Sequence, residues 1–208
     1  MYILDRIQEL LDHSDPGHRV IIGISGPPAA GKSTLAQDIQ WKLRLQSVDA
    51  VIAQADAFRF SPKVLNELDA RDRRDHPSTF DVEGYVHLLT RLKNDADKTV
   101  YLPGYSTRYD HGVVGDIVAT PETRVVIAEG DYLGFDGHGW DQVRILIDEL
   151  HYLEGDIDVL HRRLLGKQLG KGKNRREADN WVTKVGLPNI FLVKNTEGNA
   201  DHLISSNN

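Results

Sequence analysis

The chain has 208 residues, 40% of them apolar and 27% charged, with a formal net charge of −6. This is the balance of an ordinary globular protein, and its acidity argues against a dedicated nucleic-acid or membrane-surface binder, whose anionic partners select basic surfaces. The absence of cysteine excludes disulfides, thiol chemistry and thiolate-ligated zinc, and with no signal-like or bilayer-spanning run a cytoplasmic protein is expected.

The first element is an amphipathic helix over residues 1–13, with Ile3, Leu4, Ile7, Leu10 and Leu11 at helical spacing. Ser14–Gly17 (SDPG) breaks it. Arg19–Ser25 (RVIIGIS) reads as a strand buried on both faces. A glycine-rich loop follows, then a helix over Lys32–Leu45 and a second strand over Val48–Ala55. Val64–Arg74 reads as helix then loop. Asp81–Leu92 reads as a helix capped by Asp81, with Glu83 in its first turn. Thr99–Leu102 and Asp116–Ala119 are short strand candidates around a polar excursion. Arg124–Ala128 and Val143–Ile147 are further buried-strand candidates, and Ile190–Val193 a last one. Ile157–Leu169 and Arg176–Val185 read as helices. Strand–helix alternation of this kind implies a parallel sheet with helices on both faces. One domain over residues 1–208 with a polar insert or lid is expected.

The loop carries the first chemical signal. Gly26-Pro-Pro-Ala-Ala-Gly31-Lys32-Ser33 matches G-x-x-x-x-G-K-[ST] between an apolar strand and a helix, the context that the motif requires. Glycine lets the backbone curl close to phosphate, and successive N–H groups form an anion nest at a helix N-terminus. Lys32 reaches the β- and γ-phosphates and Ser33 supplies a hydroxyl to Mg²⁺. Pro27 and Pro28 lack N–H groups, but they stand in the first half of the loop. Ala30, Gly31, Lys32, Ser33 and Thr34 keep their amides, and with Gly26 and Ala29 they form the expected ATP-phosphate site.

Phosphoryl transfer to an alcohol also needs a group that orients and deprotonates the hydroxyl. Asp56, just past the second strand, is the candidate, because ligands bind at strand C-termini in open α/β sheets; a capping or turn role is the alternative. Asp75–Asp81 (DHPSTFD) and Leu102–Asp110 (LPGYSTRYD) read either as surface loops or as an acceptor pocket. Glu129 ends an apolar strand, where a Mg²⁺- or water-orienting carboxylate would sit. His161–Arg176 places seven Lys and Arg in an acidic protein. Arg163 and Lys167, four apart, share a helix face, either solvated or as part of a lid over ATP phosphates. Nucleic-acid binding is disfavoured there because no base-stacking aromatics are interleaved.

In this order, GISGPPAAGKST, DAF, DHPSTFD, LPGYSTRYD and AEGDYL resemble the uridine kinase / phosphoribulokinase / pantothenate kinase superfamily of P-loop kinases. The nearest branch resembles small bacterial proteins described as fructose transport system kinases or nucleoside/nucleotide kinase-like proteins. The resemblance runs from about Val20 to Asn189. It implies a P-loop NTPase three-layer α/β/α fold with a mostly parallel five-stranded sheet and a helical lid around residues 162–176. It also implies MgATP-dependent phosphorylation of a small-molecule hydroxyl. By this resemblance Asp56 would be the catalytic base, with Lys32 and Arg163 acting on the transferring phosphoryl group. Lys167 would be a second lid cation and Asn189 would lie near the adenine. Tyr105, Arg108 and Arg59 would line the acceptor side with Glu129, and Ser33 and Glu129 would hold the metal or its waters. The chain has Ala57-Phe58-Arg59 after Asp56 where relatives often have Gly-Phe-His, and Lys167 where they commonly have Arg. The resemblance implies a sugar or similar metabolite, such as fructose, as the acceptor, and ATP and Mg²⁺ as cofactors. A homodimer without nucleic-acid or membrane partners is expected. A uridine- or pantothenate-type kinase and a nucleotide-binding regulator without transfer activity are the alternatives.

Overall fold

The computed structural model describes residues 2–15, 17–106, 108 and 111–205. Helix α1 (Tyr2–His13) precedes β1 (Val20–Ser25), the glycine loop and α2 (Lys32–Leu45). Strand β2 (Ala50–Gln54) is followed by a 3₁₀ turn at Ala55–Phe58, by α3 (Pro62–Glu67) and by α4 (Val82–Asn94). A two-stranded antiparallel ribbon, β3 (Val100–Ser106) and β4 (His111–Ala119), leads back to β5 (Val125–Glu129). Then come α5 (Trp140–Leu146), β6 (Glu149–Leu153) and α6 (Ile157–Gly170). Helices α7 (Arg175–Trp181) and α8 (Leu187–Lys194) are joined by a wider π-helical turn at Val182–Gly186, and β7 (His202–Ile204) ends the fold.

Five strands form one parallel sheet in the order β2-β5-β1-β6-β7. Successive residues point to opposite faces, so Ile21 and Val126 enter a core with α4 and α5, while Ile22 and Ile127 enter a second core with α1 and α2. Every residue of β1, β5 and β6 is therefore buried. A third cluster joins Leu160 and Leu164 of α6 to Ala178, Val182 and Ile190, and to Ala30 of the glycine loop. The result is the three-layer α/β/α fold with a five-stranded sheet that the motif resemblance implies.

Two of the expected strands are helices. Val143 and Ile147 are buried while Ile145 is 78% exposed, a spacing that suits a helix and not a strand. The residues form α5, which begins after Gly139 and ends with Ile147 as its cap. Ile190 and Val193 are buried while Phe191 is exposed, again at helical spacing, and Pro188 sits in the first turn of α8. The strands that take their places are β6, whose Glu149 and His151 interrupt the apolar pattern, and the three-residue β7. The strand candidates at Thr99 and Asp116 extend into the β3–β4 ribbon, with an irregularity between Leu102 and Gly104.

Arg19 fastens one end of the sheet. It is 2% exposed, and its guanidinium donates to six carbonyls: Leu92, Asp95, Ala96, Lys98, Thr120 and Thr123. At the other end β1, β2 and β5 run out together. Ile24 and Gln54 both pair with Glu129, so the glycine loop, Asp56 and Glu129 emerge side by side. Among the described residues no helix is long and apolar enough to cross a membrane.

Candidate active site

The glycine loop is shaped by positive-φ residues: Gly26 (φ 143°), Ala29 (φ 67°) and Gly31 (φ 110°). At Gly26 a side chain is excluded, since a Cβ would come within 2.4 Å of the Leu153 carbonyl oxygen. Ala29 holds a conformation that costs an L-residue energy, and its carbonyl is braced by the Arg163 guanidinium. Pro27, which cannot donate, is used as an acceptor. Its carbonyl receives the Ala30 amide at 3.1 Å and the Lys32 ammonium at 3.0 Å. The Ala30 amide, expected to face phosphate, is thus engaged inside the loop. The amides of the first turn of α2 have no helical partner, so Lys32, Ser33 and Thr34 supply the nest. Lys32 is 7% exposed and also pairs with Asp131 at 2.6 Å.

Loop, strand ends and lid helices enclose a cleft of about 470 Å³. Lys32, Ser33, Thr34, Asp56, Arg59 and Glu129 line it together, although they come from three separate stretches of chain. Lys167 and Asn189 line it from the lid side, as do Lys171 and Lys173. Arg163 does not. Its Nη1 donates to the Ala29 and Ala30 carbonyls at 3.3 and 3.2 Å, so it braces the loop. Asn189, expected near adenine, is 6% exposed and donates its Nδ2 to the Asp75 carbonyl at 3.1 Å. That ties α8 to the loop at Asp75.

Glu129 is 3% exposed. Its Oε1 accepts the Ser33 hydroxyl at 3.1 Å, and its Oε2 is buried without a hydrogen-bond partner. Burial pushes its carboxyl up to about 7, against the pull of the Lys32 charge. An orphaned carboxylate oxygen beside a hydroxyl at a phosphate loop fits a hard divalent cation. Among the described residues no cluster of three acidic or histidine ligands exists.

Asp56 lies in the 3₁₀ turn after β2. Its Oδ1 pairs with Arg59 Nη2 at 2.9 Å, and Arg59 Nη1 lies 3.3 Å from Asp75 Oδ1. Burial raises the Asp56 carboxyl and the Arg59 charge opposes it. The Arg59 guanidinium lies over the Phe80 and Tyr105 rings, 5.7 and 5.6 Å from their centroids. Tyr105 is fixed by its amide, which donates to Gln54 Oε1 at 3.1 Å. The Asp75 carbonyl accepts the Tyr132 hydroxyl at 2.6 Å. Arg108 is exposed beyond the end of β3 and is not part of the cleft wall. Thr107, Tyr109 and Asp110 of the same motif lie outside the described residues.

Sequence reasoning did not single out Asp131, Asp75 or Tyr132, although Asp75 opens the DHPSTFD stretch and Asp131 and Tyr132 lie within AEGDYL. Asp131 follows a strand end by two positions, which was a usable signal. Asp75 and Tyr132 have meaning only through the contacts they make across the chain.

Residues 21–176 match the Phosphoribulokinase / Uridine kinase family. A Schizosaccharomyces pombe protein named "Putative uridine kinase C227.14" is 32% identical over 200 residues, covering 92% of this chain and 84% of that protein. Uridine kinase of Aeromonas salmonicida is 32% identical over 185 residues, covering 86% of this chain and 82% of that protein. The crystal structure of a "putative fructose transport system kinase" from Silicibacter sp. TM1040 superposes with a TM-score of 0.85 at 30% identity, covering 95% of this chain and 96% of that one.

Proposed function

The chain belongs to the phosphoribulokinase / uridine kinase family of kinases, and on that premise we propose that it transfers the γ-phosphoryl group of MgATP to a hydroxyl of a sugar or similar polyhydroxylated metabolite. The observation that carries this reading is the meeting of Lys32, Glu129 and Asp56 in one cleft at adjoining strand ends.

In this reading the free amides of the loop and Lys32 hold the β- and γ-phosphates. Ser33 and Glu129 hold Mg²⁺ or its waters, and the ion, when bound, neutralises charge on the phosphate oxygens. Arg59 Nη2 pairs with Asp56 Oδ1, and Asp56 lines the cleft. There Asp56 accepts the proton of the attacking hydroxyl. Lys167, from the lid, meets charge on the transferring group. Arg163 contributes by keeping the Ala29–Ala30 backbone in shape.

The acceptor is read from relatives and cleft chemistry. A furanose or open-chain polyol fits carboxylates that accept hydroxyl protons, and fructose is the first choice. Uridine is the second, favoured by the two relatives named as uridine kinases. Both bring a hydroxyl to Asp56 and differ in whether a base must also be housed.

A coupled assay of phosphoryl transfer to fructose, uridine and pantothenate tests the reading. One of these, or a related polyol, is expected to be phosphorylated with MgATP. The Asp56→Asn variant is expected to lower kcat by roughly 10²-fold or more and to keep its affinity for nucleotide. An Asp56→Asn enzyme with undiminished kcat would overturn the role of Asp56.

A further inference from the structure

Asp56 is in an unfavourable position for an ionised carboxylate. Besides Arg59, the ionisable side chains around it are Asp75 from the stretch between α3 and α4, Glu129 and Asp131 from the end of β5, Lys32 from the glycine loop, and the hydroxyls of Tyr85 on α4 and Tyr132 beyond β5. Three of these are carboxylates, and Lys32, the only ammonium among them, is already paired to Asp131 at 2.6 Å. Repulsion and desolvation both favour a protonated Asp56, a state unable to accept a proton from an alcohol.

Arg59 opposes both effects. Its side chain is 18% exposed and is fixed from four directions: by Asp56 at 2.9 Å, by Asp75 at 3.3 Å, and by the faces of Phe80 and Tyr105. Its backbone is fixed as well, since Arg59 and Phe80 form an isolated antiparallel bridge. Asp75 is itself anchored through its carbonyl by Tyr132 and Asn189. A guanidinium held this firmly has a fixed direction, and it grips Asp56 by one oxygen.

We propose that Arg59 is a positioning residue, which sets its charge against one oxygen of Asp56 and directs the second at the acceptor hydroxyl, and does not itself bind the acceptor. This rests on the kinase reading above for its catalytic consequence. The geometry assigns Arg59 to the base because two carboxylates face its charge and the Phe80 and Tyr105 rings both lie within 6 Å of its guanidinium. Its Nε is buried and without a hydrogen-bond partner, so it offers the acceptor no exposed donor there. The chain Asn189–Asp75–Arg59–Asp56 then links α8 directly to the base.

The test uses Arg59→Gln and Arg59→Lys in the full-length protein, with two independent readouts. The first is the pH profile of kcat on whichever acceptor is phosphorylated. A base works when ionised, so activity falls as pH drops through the Asp56 titration. Loss of Arg59 raises that titration, and Arg59→Gln is expected to move the acid limb up by about one pH unit or more, costing roughly tenfold in kcat on the limb. Its KM for ATP is expected to stay within about twofold, and activity to recover toward high pH. Arg59→Lys keeps the charge without the planar fork; its limb is expected to stay in place while kcat falls several-fold. The second readout is ¹³C NMR titration of the Asp56 carboxyl, which needs no turnover. It is expected to titrate at higher pH in Arg59→Gln than in the parent.

An unmoved limb and an unmoved Asp56 titration in Arg59→Gln would overturn the proposal. So would a raised acceptor KM with kcat and its pH profile unchanged, which would return Arg59 to the acceptor. If Arg59→Gln does not fold, Arg59→Lys decides: unchanged kcat overturns the positioning role, and lowered kcat with unchanged KM for ATP supports it. If the parent phosphorylates no acceptor, the kinase reading fails by itself, and the NMR titration still settles whether Arg59 controls Asp56.

Discussion

Lys32 shows how a motif residue is prepared before any ligand arrives. Its ammonium is almost fully buried and donates to the Pro27 carbonyl at 3.0 Å and pairs with Asp131 at 2.6 Å. A buried charge persists only when partnered, so the loop and the β5 end hold it ready. The prolines serve this arrangement, because Pro27 gives its carbonyl and loses nothing by having no N–H. Replacing Lys32 by Ala removes charge-assisted hydrogen bonds of about 1.5–3 kcal/mol. Nucleotide affinity of Lys32→Ala, measured by fluorescent ATP-analogue titration, is expected to fall by roughly 10- to 100-fold, with transfer activity falling too. Unchanged affinity would remove the loop from nucleotide binding. The phosphate half of the site was legible at this scale because the motif residues are contiguous and their geometry is local. The contact of Arg163 with a pair of loop carbonyls was not legible, since these lie 133–134 positions away in the chain.

Elements were legible where burial is uniform on two faces or alternates strongly, and less so where short apolar runs allow two readings. Val143–Ile147 and Ile190–Val193 are four or five residues long, and a run of that length is compatible with either a strand or a helix turn. What decided them is which residues the sheet can cover: Ile145 and Phe191 face solvent. Conversely, β6 carries Glu149 and His151 inward: Arg6 reaches Glu149 at 2.7 Å, and His151 Nε2 lies 2.9 Å from Glu149 Oε1, although neither ring nitrogen makes a hydrogen bond. Arg19 is the strongest case of an element joint that composition hides. Read as the first residue of a strand, it proves to be the donor for six carbonyls at the ends of α4, β4 and the turns beside them. Burial holds its charge below the ordinary arginine range. Arg19→Met keeps the stem and strips the donors, leaving buried carbonyls without partners. It is expected to lower unfolding free energy by at least about 3 kcal/mol, read from urea denaturation. A loss under about 1 kcal/mol would mean that water replaces the guanidinium.

At the scale of the whole molecule, the sheet's far edge makes stability depend on pH. His151 is wholly buried in β6, with its ring stacked on His202 of β7 at 5.0 Å. Burial lowers it to about 4, outweighing the attraction of Glu149. Its folded value thus lies below the unfolded one of about 6.5, and between these the unfolded chain binds a proton that the folded chain refuses. Stability is therefore complete above about pH 6.5 and declines as pH falls toward 4, by about 3 kcal/mol in all. Urea unfolding at pH 7, 6 and 5 is expected to show this slope, and His151→Gln to flatten it; an equal slope in both proteins would place the effect elsewhere. By itself the sequence determined the phosphate loop, the alternation of strands and helices, and the carboxylates at two strand ends, because each is written in consecutive residues whose backbone preferences and periodicity act locally. Only the tertiary structure decided which cations reach the cleft, that Asp131 restrains Lys32, and that Asn189, Asp75 and Arg59 form a line to Asp56. Those contacts join residues up to 114 positions apart, and no local pattern encodes them. They exist because one sheet brings its strand ends to a common edge and the helices close over it.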